Sequence, residues 1–327
     1  MSRTNRCELI RQLSEHRNST IICYVTGDRE NISTRIAPDV VRFFHRHLEL
    51  MGFQPKIDLF LYTRGGDILT PWRLINLIRE YTSNLSVLVP FRAYSAGTLI
   101  CLGANEIVMT KMAELGPIDP TVINVFNPPD RNNPGLRLPV SVEDVNSYFA
   151  LAKNKCELAN TQDMLQVFKM LADKVHPLAL GNVHRNHALI RSISKKLLTL
   201  HTPKDQEAWV NNVVDHLTEK LHAHNHMISR GEAELDLGLN IIKPDARLED
   251  LMWSLYENYE EDLQLLHPFL PGNNVQQQPE FEVHGGFLES LLALDAFTFY
   301  GTVECNHNHV RKPYVVNILQ QGWQKLI

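Results

Sequence analysis

No stretch of 18 or more apolar residues occurs in this chain of 327 residues. The most apolar stretch, residues 85–104, is interrupted by Pro90, Arg92 and Gly97, so a membrane-spanning helix is not expected. The opening residues, MSRTNRCELIRQLSEHRN, lack the apolar core of a secretory signal. Cysteine is scarce and scattered. Cys7, Cys23, Cys101, Cys156 and Cys305 are odd in number and form no CxxC pair. That excludes a disulfide framework and favours a reducing compartment. Cations are in deficit, with 32 Lys and Arg against 37 Asp and Glu and a formal net charge of −5. A general nucleic-acid binder needs the opposite balance to neutralise phosphates, so that partner is not expected. No internal repeat is present. The remaining expectation is a soluble, cytoplasmic protein. Its 44% hydrophobic residues suffice for a sizeable core, and its length allows one large domain or two ordinary ones.

Periodicity alternates regularly through the first 120 residues. Residues 20–25 (TIICYV) form a short β-branched apolar run, read as a buried strand. Residues 38–51 place Val40, Val41, Phe44, Leu48 and Met51 on one helical face, and Gly52 is the stop signal. Residues 57–62 (IDLFLY) are a second strand, ending at Arg64-Gly65-Gly66-Asp67. In the next helix Thr70 is a candidate cap, Pro71 suits the first helical position, and Leu74, Ile75, Ile78 and Tyr81 form the inner stripe. Strands at 85–89 and 106–110 flank a short helix at 96–103. This alternation predicts a parallel α/β sheet with right-handed crossovers. Six of the 17 prolines crowd into residues 117–139, an irregular loop. The chain is then mostly helical to about residue 245, with capping spacing at Ser141/Asp144 and Ser229/Glu232. Beyond it the texture changes. A long amphipathic helix (248–266) precedes a polar Pro/Gln/Asn stretch, and two strands (297–303 and 315–319) flank an Asn/His-rich turn. Residues 1–245 therefore read as the main domain, and residues 246–327 as a C-terminal α+β extension with an assembly or regulatory role.

Two local signals point to chemistry. Paired glycines, Gly65 and Gly66, directly follow a strand, where they let backbone N–H groups turn toward a ligand oxygen. Ser95, in Ala93-Tyr94-Ser95-Ala96-Gly97, stands where the third strand turns into a helix, outside the carboxyl ends of the strands, where open α/β sheets bind ligands. The N–H groups of Gly66 and Ala96 could together hold an oxyanion. On spacing alone, a capping serine and two turn-making glycines explain the same residues. Asp67 follows the glycines without the lysine of a phosphate-cradling loop, so nucleotide hydrolysis is not expected.

The runs LYTRGGDILTPWRLINLIREY and VPFRAYSAGTLICLGANEIVMTKMAELGPIDP resemble the serine dehydrogenase proteinase family. That family is related to the Clp protease proteolytic subunit, to signal peptide peptidase A and, more distantly, to the crotonases. The resemblance extends more weakly to about residue 245. It implies a Clp/crotonase-like fold of repeated β-β-α units on a mainly parallel sheet, and a serine peptidase. Carried onto this chain, it makes Ser95 the nucleophile and places Gly65, Gly66 and Ala96 in the oxyanion neighbourhood. The family's Ser, Asp, His order assigns the orienting carboxylate to Asp119, for which a cap on a proline turn is the structural alternative. Proteins of this superfamily also assemble, which implies a homo-oligomer acting on a peptide or protein substrate without a cofactor. The C-terminal extension is a possible contact for a further protein partner.

The base is open among several residues. His176, before Pro177, should lie on a loop. His184 and His187 share one polar face of the following helix, opposite Ile190, Ile193 and Leu197. Lys111 and Lys153, 16 and 58 residues after Ser95, are the rivals for a Ser–Lys pair. His222/His226 and Cys305/His307/His309 have spacings that can hold zinc, but polar surface explains them as well, and no metal is expected. The competing functions are an inactive oligomeric scaffold and a crotonase-like acyl-CoA hydratase or hydrolase.

Overall fold

The computed structural model describes residues 3–118, 121–130, 133, 135–158, 160–220, 226–271, 279–305 and 314–327. They fall into two compact units, Met1–Gly116 with Met227–Ile327, and Pro117–His226. The first unit opens with α1 (Arg3–Arg17), β1 (Thr20–Thr26), α2 (Val41–Met51), β2 (Ile57–Tyr62) and α3 (Thr70–Arg79). It continues through β3 (Leu85–Val89), β4 (Arg92–Ala93), α4 (Ala96–Leu102), β5 (Glu106–Met109) and β6 (Glu114–Leu115). The second holds β7 (Thr121–Val122), β8 (Val140–Ser141), α5 (Val142–Asn154), α6 (Thr161–Ala172), α7 (Pro177–Thr199) and α8 (Glu207–Asp215). The chain then returns to the first unit with β9 (Ile228–Ser229), α9 (Arg230–Leu235), β10 (Ile241–Ile242) and α10 (Ala246–Asp262). It closes with β11 (Glu280–Glu289), β12 (Leu294–Cys305) and β13 (Tyr314–Lys325).

Among the described residues the main sheet has eight strands in the order β10-β5-β3-β2-β1-β11-β12-β13. From β10 to β1 neighbouring strands are parallel, and from β1 to β13 they are antiparallel. The parallel strands are the apolar runs legible in the sequence. Both faces of β2 and β3 are buried, as strands covered by helices on two sides must be. A smaller sheet, β4-β6-β9, lies near the carboxyl ends of the central strands, because β2 continues past Tyr62 into a parallel bridge between Thr63 and Ala93.

The division between 245 and 246 expected from composition is not where the structure divides. Residues 246–327 belong with the parallel strands. β11 pairs with β1 (Cys23 opposite Glu289, Val25 opposite Phe287). Leu248, Leu251, Met252, Leu255 and Tyr259 of α10 are buried in one cluster with Ile10 and Leu13 of α1 and Val25, Phe60, Leu88 and Val108 of the sheet. Arg6 ties the same ends together. Its guanidinium reaches Glu289 at 2.6 Å and also Asp262, while Tyr259 donates to Glu289 at 2.9 Å. The physical reason is that β1 needs a partner on its open side, since an unpaired buried edge would strand its backbone groups. β11 was overlooked because Gly285-Gly286 interrupts its pattern. In the structure the interruption is a bulge between His284 and Gly286, where Gly286 lies so close to β1 that a Cβ would sit 2.7 Å from the Val25 carbonyl. Ile241–Ile242, expected to end a helix, is instead the edge strand β10. In the second unit α5 starts at Ser141, whose hydroxyl accepts the N–H groups of Glu143 and Asp144, as its spacing predicts.

Candidate active site

The site grows from the carboxyl ends of β2 and β3. After β2 the chain carries Gly65 at φ +100° and Gly66 at φ +155°, a stretch that glycine tolerates and other residues resist. Asp67 then caps α3, its Oδ1 accepting the N–H groups of Leu69 (3.1 Å) and Thr70 (2.8 Å). Thr70, expected as the cap, is the first helical residue and itself donates to Asp67. After β3 and the short β4 the chain turns at Ser95 into α4.

Ser95 stands at φ +52°, ψ −109°, and its side chain makes no capping bond. An L-residue in this region is strained, and such strain is retained where the surrounding structure over-determines it, commonly at functional sites. A serine held on a sharp strand-to-helix turn presents its hydroxyl outward, as in nucleophile elbows. The capping alternative for Ser95 is thereby removed.

The glycine loop lies directly against this turn. A Cβ placed on Gly65 would fall 2.8 Å from Ser95 Cβ, 2.8 Å from the Tyr94 carbonyl and 3.2 Å from the Ala96 nitrogen. On the other side a Cβ on Gly66 would collide with the backbone of Ile36, which bridges to Gly66 and clamps the loop through Ile36 N–H to Gly65 O and Asp67 N–H to Ile36 O. Among the described residues neither the Gly66 nor the Ala96 N–H has a hydrogen-bond partner. Gly65, Gly66, Ser95 and Ala96 are thus brought together. The loop and turn carry a partly exposed hydroxyl and two amide donors with nothing to bond, the parts needed to attack a carbonyl and hold the resulting oxyanion.

Several residues around this turn were not singled out from the sequence. Thr98, fully buried on α4, donates to the Ala93 and Gly116 carbonyls at 2.8 Å and accepts the Gly116 N–H, locking the helix to the strand after it. Tyr94 donates to Glu114. Burial, reinforced by that carboxylate, pushes its phenol up to about 12, so it stays neutral and is no candidate base. Arg92 and Arg64 face Asp28 at 3.6 and 3.9 Å. None of these carries a motif, and their partners are distant in sequence.

The candidate bases fall elsewhere. Lys111 lies past β5 in the first unit. It is 75% exposed and engaged at both ends by Glu249, through Nζ at 3.1 Å and through its own N–H at 2.7 Å. That is a surface ion pair, not the apolar pocket needed to lower a lysine's pKa. Asp119 lies outside the described residues, as do His222, His224, His307 and His309. The remaining candidates are in the second unit. Lys153 is exposed on α5. His176 is the N-cap of α7, its Nδ1 accepting the Leu178 N–H at 3.1 Å and its ring stacked on Phe126 at 5.0 Å. An accepting Nδ1 puts the proton of the neutral ring on Nε2, whereas a triad base needs the other tautomer. His184 and His187, on one face of α7 as the spacing predicts, line a cavity of about 500 Å³ with Phe149 and Phe168. His187 Nε2 lies 3.6 Å from Glu219, which also pairs with Arg191. Among the described residues no group of three or more His, Cys, Asp or Glu is placed to hold a metal, and no helix is long and apolar enough to cross a membrane.

The family model for ClpP-like SDH-type serine proteinases matches residues 1–130, the segment that carries the glycine loop and Ser95. It is the family that the sequence motifs resemble. Two uncharacterized proteins of Methanocaldococcus jannaschii are similar to this chain. One is 35% identical over 123 residues, covering 35% of this chain and 42% of the relative. The other is 29% identical over 125 residues, covering 36% and 42%. The match thus spans less than half the length of either curated relative.

Proposed function

We propose that this chain is a serine peptidase with Ser95 as nucleophile. The observation that carries the reading is the strained serine turn, with φ +52° and no capping bond, packed against the Gly65-Gly66 loop. In this reading Ser95 Oγ attacks the scissile carbonyl while a base takes its proton. The Gly66 and Ala96 N–H groups receive the developing oxyanion. The base returns the proton to the leaving amine, and water then hydrolyses the acyl-enzyme. The repeated β-β-α architecture belongs to the same reading and is supported by the β3-β4-α4 run that delivers the serine.

For the base, His187 and His184 are favoured over His176. The carboxylate of Glu219 beside His187 is the kind of partner that orients an imidazole and stabilises its charged form, while His176 spends Nδ1 on its helix cap. Asp119 remains the orienting carboxylate that the family order implies. A peptide or protein substrate, a homo-oligomer and a cytoplasmic setting complete the proposal.

The test is intact-mass analysis after treatment with a fluorophosphonate. The reading expects one adduct on the wild-type chain and none on Ser95→Ala. An unlabelled wild-type chain, correctly folded and assembled, would instead favour the scaffold.

A further inference from the structure

The loop and the serine turn come from segments about 30 residues apart, and one side chain touches both. Thr63, fully buried, follows β2 directly. Its hydroxyl accepts the Gly65 N–H at 3.0 Å and, on its other side, the hydroxyl proton of Thr26 at 2.7 Å. Thr26 is itself fully buried at the end of β1. The Thr63 methyl faces α4, where a Cβ on Gly97 would lie 2.5 Å from Thr63 Cγ2. Its backbone completes the contact, the Thr63 N–H bonding to Arg92 O at 2.9 Å and the Thr63 carbonyl accepting the Tyr94 N–H at 3.1 Å, immediately before Ser95.

We infer that Thr63 is the positioning residue of the oxyanion site, with Thr26 as its support. The inference rests on the reading of Ser95 as a nucleophile. The physical argument concerns the Gly65 and Gly66 peptides. Glycines at φ +100° and +155° have many alternative conformations, so the direction of the Gly66 N–H must be imposed by neighbours. Ile36 holds the carbonyl side of Gly65, and the Thr63 hydroxyl holds its N–H side. With both ends of Gly65 fixed, the next amide has one direction. Because the same residue abuts Gly97 and pairs with Tyr94, the donor is aligned to the serine by a single rigid contact rather than through the loop. Donors are effective when their direction is set before charge develops, and a loop that must reorganise loses most of that effect.

Thr63→Val keeps the shape and the methyl against Gly97 but removes the acceptor for Gly65. Thr63→Ser restores the hydroxyl without the methyl. The experiment measures fluorophosphonate labelling of Ser95 and turnover of an activated ester on the full chain. Removing a direct oxyanion donor costs roughly 100–1,000-fold in kcat, and misaligning one through its support should cost somewhat less, about 10–100-fold. Thr63→Val should therefore lower kcat and the labelling rate by that factor with KM nearly unchanged, and Thr63→Ser should recover most of both. Thr26→Val should show a smaller loss in the same direction. Labelling and kcat of Thr63→Val within about twofold of wild type would overturn the inference while leaving Ser95 as nucleophile. A wild-type chain that does not label at all would overturn both. If Thr63→Val fails to fold, Thr26→Val and Thr63→Ser decide: a kcat loss in the first with near-normal kcat in the second supports the positioning role, and equal losses or none refute it.

Discussion

Ending the chain after Pro244 removes α10 and β11–β13 and tests whether these elements are an appendage or part of the core. α10 contributes Leu248, Leu251, Met252 and Leu255 to the cluster built on Val25, Phe60 and Leu88. Burying a side chain of this size is worth ~1.5–3 kcal/mol, so these four alone account for roughly 6–12 kcal/mol. That is comparable with the whole net stability of a typical domain, ~5–15 kcal/mol. Two further losses act in the same direction. Arg6 forfeits Glu289 and Asp262, and breaking a buried pair from one side costs ~3–5 kcal/mol. β1 is left with an open edge where β11 had paired. The fragment 1–244 should therefore be insoluble, or soluble with no cooperative thermal transition by circular dichroism and little amide protection in β1. A soluble fragment melting cooperatively within a few degrees of the full chain would refute this reasoning and restore the division at residue 245 that composition indicates.

Ser95→Gly should abolish fluorophosphonate labelling yet raise stability by about 0.5–1 kcal/mol in denaturant titration. Relief of the positive φ, ~1–2 kcal/mol, exceeds the extra entropy of glycine in the unfolded chain; a destabilised variant would show that Ser95 is not strained. In Glu106, burial favours the neutral carboxyl, but hydrogen bonds from Lys56, Arg17 and Ser86 outweigh it and hold the group at about 2. Its folded value is below its unfolded one, so its contribution to stability is complete above the ordinary range near pH 4.5 and is lost as pH falls from there toward 2. Glu106→Gln should flatten the acid limb of the stability curve between those values, and an unchanged limb in urea titrations would contradict the network. Lys111→Ala and Lys153→Ala should each leave turnover within about twofold of wild type, and His187→Ala should lower it by ~100-fold or more. The reverse pattern would establish a Ser–Lys mechanism.

The sequence by itself determined the parallel core and the two halves of the site. TIICYV, IDLFLY and residues 85–89 are apolar on both faces, and a strand buried on both faces leaves little choice but the centre of a covered sheet. Gly65-Gly66 and Ser95 were legible because each follows a strand directly, where a local turn and a local residue type suffice. Tertiary structure alone decided three things. The strained φ of Ser95 depends on contacts from β2 and α4 that no local pattern encodes. The role of Thr63 depends on Thr26 and Gly97, 37 and 34 residues away, and on a hydroxyl that locally looks like any strand-end threonine. The place of residues 246–327 was hidden because composition reports solvent exposure along a segment, whereas membership of a core is set by what the segment covers. β11 and α10 cover β1 and its neighbours, and it is that distant, complementary apolar surface that makes the C-terminal segment part of the first unit.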